Sequence, residues 1–318
     1  MNNKKNRILL GLIITFSTFN LQPSTAYALL LHPSAGSTAA SFLKIGVGPR
    51  AIAMGEAFCA VADDASAIYW NPAGLTNIEN HQLYFMHDEW LQSVKHDFIA
   101  YAQALNANKA FGLAADSVFV YGMEKRPDET LNDLTDPQNL FDSLDLAGII
   151  SYSQKLTPGI AIGANLKIIN QRIDADSAWG FAFDVGGLHN IRKNMKLGWN
   201  IQNIGMPITF LSKGYQMPLN LKIGVSYNMD KYNTLIAFDV NQPIDNYLSA
   251  SAGVEYTYKM IALRAGYKYK LGGNDLGPLS GLSAGFGLEI NNIEGDYAFV
   301  PYSELESYTH KISLLVKF

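Results

Sequence analysis

Residues 307–318 alternate in a way that few environments satisfy. Tyr308, His310, Ile312, Leu314, Val316 and Phe318 fall on one side of an extended strand, and Thr309, Lys311, Ser313 and Lys317 on the other, because successive side chains point to opposite faces. Only the first of those sides suits lipid. A strand with an apolar outer face, a polar inner face and an aromatic at its end is the unit of an outer-membrane barrel. Phe318 is therefore the expected outer-membrane assembly signal. Outer-membrane lipid and the barrel assembly machinery are the expected partners.

The same period of two recurs along the chain. In 260–271, Ile261, Leu263, Ala265, Tyr267 and Tyr269 alternate with Ala262, Arg264, Gly266, Lys268 and Lys270; in 218–227, Leu219, Leu221, Ile223, Val225 and Tyr227 alternate with Asn220, Lys222, Gly224 and Ser226. Comparable stretches cover 82–88, 95–105, 109–121, 144–154, 159–171, 179–188, 195–203, 231–240, 247–258, 281–290 and 293–300. With 307–318 they predict about fourteen strands, most near the ~9–11 residues that cross a bilayer at a tilt. The fold class expected is all-β, a transmembrane antiparallel barrel. Closure follows from energetics, since an unpaired backbone N–H or C=O in hydrocarbon costs several kcal/mol. A soluble β-sandwich also alternates, but it does not account for inward rows that are polar in strand after strand.

Every even-to-odd link between these segments is short, whereas 122–143, 204–217 and 271–280 are long. Barrels of this membrane put short turns in the periplasm and long loops outside, so both chain ends are expected on the periplasmic side. At the front, Lys4, Lys5 and Arg7 precede an apolar run at 8–19, and Ala26-Tyr27-Ala28 offers a cleavage site. That pattern predicts a signal peptide over 1–28. The apolar run is too short to cross a bilayer as a helix. A lipoprotein would need a cysteine at the cleavage site, and the only one is Cys59.

Cleavage removes three cations and no anion and takes the net charge from −4 to −7, which argues against nucleic acid as a partner. One cysteine in an exported chain cannot form an internal disulfide, so stability must come from the hydrogen-bonded scaffold and packing. No later segment approaches 18 consecutive apolar residues, which excludes a helical membrane protein.

Residues 29–81 do not alternate. Ala-rich stretches there predict short helices, and Gly48-Pro49 and Asn71-Pro72-Ala73-Gly74 predict turns. The segment is too small for a core of its own, so it is expected to fill the barrel made by 82–318. Gly48-Pro49-Arg50-Ala51, Met54-Gly55, Asp63-Asp64-Ala65 and Trp70-Asn71-Pro72-Ala73-Gly74-Leu75 resemble the amino-terminal hatch of the PorV/PorQ family, relatives of the FadL-type hydrophobic-compound transporters. Asp296-Tyr297-Ala298-Phe299-Val300-Pro301-Tyr302 and the following Thr309-His310-Lys311-Ile312-Ser313-Leu314 add a second match near the end. The resemblance implies a fourteen-stranded barrel with a luminal plug. It also implies an accessory role in type IX-like protein secretion, with a larger translocon and secreted cargo as partners. The alternative is a FadL-like channel for a hydrophobic small molecule.

Arg50, Glu56, Asp63 and Asp64 are expected to pair with one another or with the luminal charges Lys196, Lys222, Arg264 and Lys268, and so to hold the plug, since confined charges are normally paired. Ligand binding by the same charges is the alternative. The loop 122–143 carries Glu124, Asp128, Glu129, Asp133, Asp136 and Asp142, and without the spacing of a calcium loop it reads as a solvated acidic segment. Trp90 and Leu91, with Ile208, Phe210 and Leu211, are apolar loop residues that either pack the loops or grip a ligand. His32, His81, His87, His96, His189 and His310 form no metal-ligand pair, and the chain has no nucleophile elbow or phosphate loop. The expectation is a non-enzymatic protein with no catalytic residue, metal or cofactor.

Overall fold

The structure, a computed structural model, describes residues 32–90, 94–125, 140–272, 278–302 and 307–318. The strands are β1 (His81–Glu89), β2 (Lys95–Asn106), β3 (Lys109–Glu124), β4 (Leu140–Thr157), β5 (Ile160–Ile173), β6 (Asp176–Arg192), β7 (Met195–Gly205), β8 (Ile208–Phe210), β9 (Lys213–Tyr215), β10 (Asn220–Met229), β11 (Thr234–Pro243), β12 (Ser249–Tyr258), β13 (Ile261–Lys270), β14 (Leu282–Ile290), β15 (Ile293–Tyr302) and β16 (Ser307–Lys317). All but β8 and β9 pair antiparallel with their neighbours and close into one fourteen-stranded barrel. β8 and β9 form a separate hairpin inside the long connection at 204–217, a feature that three-residue strands are too short to announce in sequence.

Closure is made between β1 and β16, with Gln82 opposite Lys317 and Glu89 opposite His310. Below the last ladder pair, the His81 N–H donates to the Phe318 carbonyl at 3.0 Å and the Phe318 N–H donates back at 3.0 Å. The Phe318 ring stacks on His81 at 5.5 Å. The alternation read from the sequence becomes the two faces of the wall: on β13 Ile261, Leu263, Ala265, Tyr267 and Tyr269 are exposed on the outer surface while Arg264 and Gly266 are buried.

Residues 40–78 lie inside. They form a 3-10 turn (Ser41–Lys44), α1 (Pro49–Ala53), α2 (Ala67–Trp70) and a second 3-10 turn (Pro72–Asn77), and almost every hydrophobic side chain among them is buried. The segment touches wall residues on strands all round the barrel, from Met86 on β1 to Ser283 on β14. Where it presses closest the wall carries glycine. A methyl group at Gly266 would overlap the Met54–Gly55 peptide, one at Gly163 the Pro72–Ala73 peptide and one at Gly198 the Cys59–Ala60 peptide.

The two ends of the described chain sit at opposite rims. His32 packs edge-on against Tyr247 at 5.0 Å, and Thr38 donates to Asp245 at 2.7 Å, both in the connection between β11 and β12 on the long-loop side. Phe318 sits at the short-turn side. Residues 32–80 thus run down the length of the lumen before β1 begins. The proposed signal peptide, Leu91 and Asp128, Glu129, Asp133 and Asp136 lie outside the described residues. Glu124, Lys125 and Asp142 are described, and Lys125 pairs with Asp174 across the rim at 2.6 Å.

Gly266→Val should lower the melting temperature of the folded barrel, read from its heat-modifiable migration in gels, because overpacking costs ~1–3 kcal/mol or more against fixed backbone. Ala265→Val, on the outer face one residue away, should leave it unchanged. Equal melting of the two variants would show that the segment does not press on the wall there.

Candidate functional site

The plug is short of hydrogen bonds of its own. Helices of one turn leave most terminal N–H and C=O groups without an internal partner, and here wall side chains supply them. The carbonyls of Ile68, Tyr69 and Trp70, the last turn of α2, accept from Asn165 at 2.7 Å, Gln202 at 2.7 Å and Asn200 at 2.9 Å. The Phe58 and Cys59 N–H groups donate to one oxygen of Asp239 at 3.0 and 2.8 Å, and the Gly55 N–H to Ser283 at 3.1 Å. The inward polar rows of the wall are thus the caps of the plug.

The motif residues expected to form the hatch fall in this packed segment. Gly48, at φ 82°, leads into Pro49 at the first position of α1, a placement that suits a residue without an N–H. Met54 is fully buried under Gly253 and Gly266. Trp70 donates from its indole N–H to the Val47 carbonyl at 2.8 Å. Asn71 caps the turn that starts at Pro72, accepting from the Ala73 N–H at 3.2 Å, while its amide donates to the Cys59 carbonyl at 2.8 Å and the Gly187 carbonyl at 3.1 Å. Gly74 leaves no room for a side chain beside Ala62.

The charges separate into two groups. Towards the short-turn end, Arg50 reaches both oxygens of Glu255 at 2.9 and 3.0 Å and Asp63 at 2.6 Å, with Asp64 at 3.6 Å. Arg264 shares Glu255 at 2.6 Å and bonds Asp296. Burial works against the Arg50 charge, but Asp63 and Glu255 outweigh it and hold the guanidinium well above its ordinary range. Nearer the long-loop end, Lys268 pairs with Glu56 at 2.6 Å. Burial opposes the Glu56 charge, yet Lys268 and Lys222 outweigh it and keep that carboxyl below the usual range. Of the four luminal cations expected to join the plug charges, Arg264 meets Arg50 across Glu255 and Lys268 meets Glu56 directly. Lys222 stands over the Trp70 ring at 4.2 Å instead. Lys196 lines a separate polar cavity at the short-turn end and makes no ion pair among the described residues.

Above the plug, a cavity of about 530 Å³ opens towards the long-loop rim. Leu43, Ile45, Ile52, Tyr69, Trp90 and Tyr247 give it apolar surface, Lys44, Glu56, Asp245, Lys268, Lys270 and Lys311 give it charge, and its lining also includes Lys222, Gln202 and Asn203. Trp90 thus faces a cavity as well as a loop. Ile208 packs inward on Gly180 beside Phe42 and Leu43, and Leu211 is left at the surface.

One wall network was not anticipated. Opposite Asp184 on β6 the β7 register slips, with Phe183 facing Ile204 and Val185 facing Ile201. Asn203 there adopts φ 61° and donates its N–H to Asp184 at 2.8 Å. Lys167 bonds both Asp184, at 2.8 Å, and Asn203, at 2.7 Å. The available signal was a lone Lys and a lone Asp on the inward rows of adjacent strands.

Residues 32–180 match the model of an uncharacterised protein family (UPF0164). No curated protein matches the chain. Among solved structures, the chain is similar to the CymD monoaromatic hydrocarbon channel, with 15% identity, 86% of this chain and 98% of that one covered, and a TM-score of 0.64. It is similar to the Pseudomonas putida toluene transporter TodX at 14% identity, 85% and 97% coverage and a TM-score of 0.60. A Pseudomonas aeruginosa FadL homologue gives 11% identity, 91% and 99% coverage and 0.56. None of these three is a PorV or PorQ protein, so the finer part of the sequence resemblance finds no counterpart here.

Arg50→Ala should loosen the plug by leaving Asp63 and part of Glu255 unpaired. Solute permeability in liposome swelling should rise severalfold, and unchanged permeability would count against the plug being held by this cluster. At the level these comparisons reach, the chain has the fold of FadL-type outer-membrane barrels.

Proposed function

We propose that this protein is a channel for small hydrophobic or amphipathic molecules in the outer membrane, which it captures under the long loops. The observation that carries the reading is the cavity of about 530 Å³ above the plug, in which apolar side chains such as Leu43, Ile45, Ile52 and Tyr247 stand beside charged and amide groups. Its size and this mixture of apolar and polar lining suit a small amphipathic molecule. Similarity to a monoaromatic hydrocarbon channel and a toluene transporter supports the same reading.

A captured molecule has no straight way down. Below the cavity lie the packed plug and the Arg50–Glu255–Arg264 cluster, and an apolar body entering that polar half would desolvate charges. The cavity floor does reach Asn203, where the wall ladder is interrupted between β6 and β7. We place the exit there, sideways into the membrane. The secretion-accessory role suggested by the hatch resemblance gains nothing from the comparisons. It would require this barrel to co-purify with a larger translocon.

Cells with an intact outer membrane that express this chain should accumulate a radiolabelled monoaromatic compound severalfold faster than cells carrying an empty vector. A disulfide between Phe183→Cys and Ile204→Cys, which face each other across β6 and β7, should slow that uptake until a reductant is added. Equal accumulation with the barrel correctly inserted would overturn the channel reading. Unaltered uptake by the locked barrel would overturn the exit alone.

A further inference from the structure

Lys44, Lys222, Lys268, Lys270 and Lys311 line the cavity under the long loops, and the situation of Lys222 is unlike that of the others. Lys44, Lys268 and Lys311 each have a carboxylate of their own, in Asp245, Glu56 and Asp88, and Lys270 is engaged as well. The ammonium of Lys222, on β10, has none within ion-pair distance among the described residues and makes no hydrogen bond there. Lys222 is 5% exposed, lines the cavity floor and has its ammonium 4.2 Å from the centre of the Trp70 ring. The nearby carboxylates are engaged elsewhere: Asp239 accepts the N–H groups of Phe58 and Cys59, and Glu56 holds Lys268.

An ammonium taken out of water is costly unless paired, and an aromatic face compensates only part of that cost. A buried cation without a carboxylate of its own, in a cavity whose Lys44 and Lys268 are already paired with Asp245 and Glu56, is a ready anchor for an anionic head. The body of that ligand would meet Leu43, Ile45 and Ile52 and three aromatic side chains, Tyr69, Trp90 and Tyr247, a lining that favours a flat ring. Resting on the capture reading above, we infer that the cavity selects compact aromatic carboxylates, with Lys222 as the residue that reads the acid group. Neutral aromatic compounds enter the same walls but leave Lys222 unpaired.

The test is calorimetric titration of the full barrel in lipid nanodiscs at neutral pH, with para-butylbenzoate and its neutral isostere para-butylbenzamide. The acid should bind about tenfold or more tightly than the amide, the effect of one charge-assisted hydrogen bond. Lys222→Met should bring the two to near parity, with the heat-modifiable migration of the barrel unchanged to report that it still folds. Lys222→Arg should keep the preference. Equal binding of acid and amide by the unaltered protein, or a preference that survives Lys222→Met, would overturn the role of Lys222 and leave the capture reading standing. Binding of neither compound would overturn both.

Discussion

A strand in hydrocarbon must pair every N–H and C=O, and the last pairing that achieves this here is β1 with β16. Until β16 pairs with β1, from Gln82 opposite Lys317 to Glu89 opposite His310, the sheet has two open edges, each unpaired group costing several kcal/mol in lipid. Closure then divides the side chains of every strand into a lipid set and a luminal set. The lipid set follows from the solvent outside. The luminal set has to suit whatever fills the bore.

What fills it is a segment that cannot stand alone. Its helices are single turns, so their backbone groups need outside partners, and Asn165, Asn200, Gln202, Ser226 and Asp239 on the wall provide them. Wall and plug are therefore one hydrogen-bonded unit, and the wall glycines Gly163, Gly198, Gly253 and Gly266 sit directly against the plug backbone. The same division orders the lumen. The Arg50–Glu255–Arg264 cluster sits below, and the cavity above carries apolar side chains together with the Lys44–Asp245 and Lys268–Glu56 pairs.

The fourteen barrel strands were legible because a period of two on a lipid-facing wall has no substitute. Phe318, Arg264 and Lys222 could each be assigned a face from sequence alone. The plug was legible as an exception to that period, and its Asn71 turn as a turn. Partners were harder. Glu255 is shared by Arg50 and Arg264, which lie 205 residues upstream and nine downstream of it, and only the closed register brings the three together. The direction of the plug was also hidden, because no local pattern says that His32 lies at the rim opposite Phe318. The Asp184–Lys167–Asn203 network depends on a slip of register, which leaves no trace in the alternation on either side of it.

Cys59 reports, without any substitution, whether residues 40–78 stay packed inside the wall. It is the only cysteine, it lies fully buried between the plug and Gly198, and burial pushes its thiol well above the usual range. Treatment of the folded barrel in membranes with a maleimide, quantified by mass spectrometry, measures whether the plug stays packed in the lumen. A plug packed in the lumen gives almost no labelling of the folded protein over hours and stoichiometric labelling after denaturation. Rapid labelling of the folded barrel would place residues 40–78 outside the wall and contradict that packing.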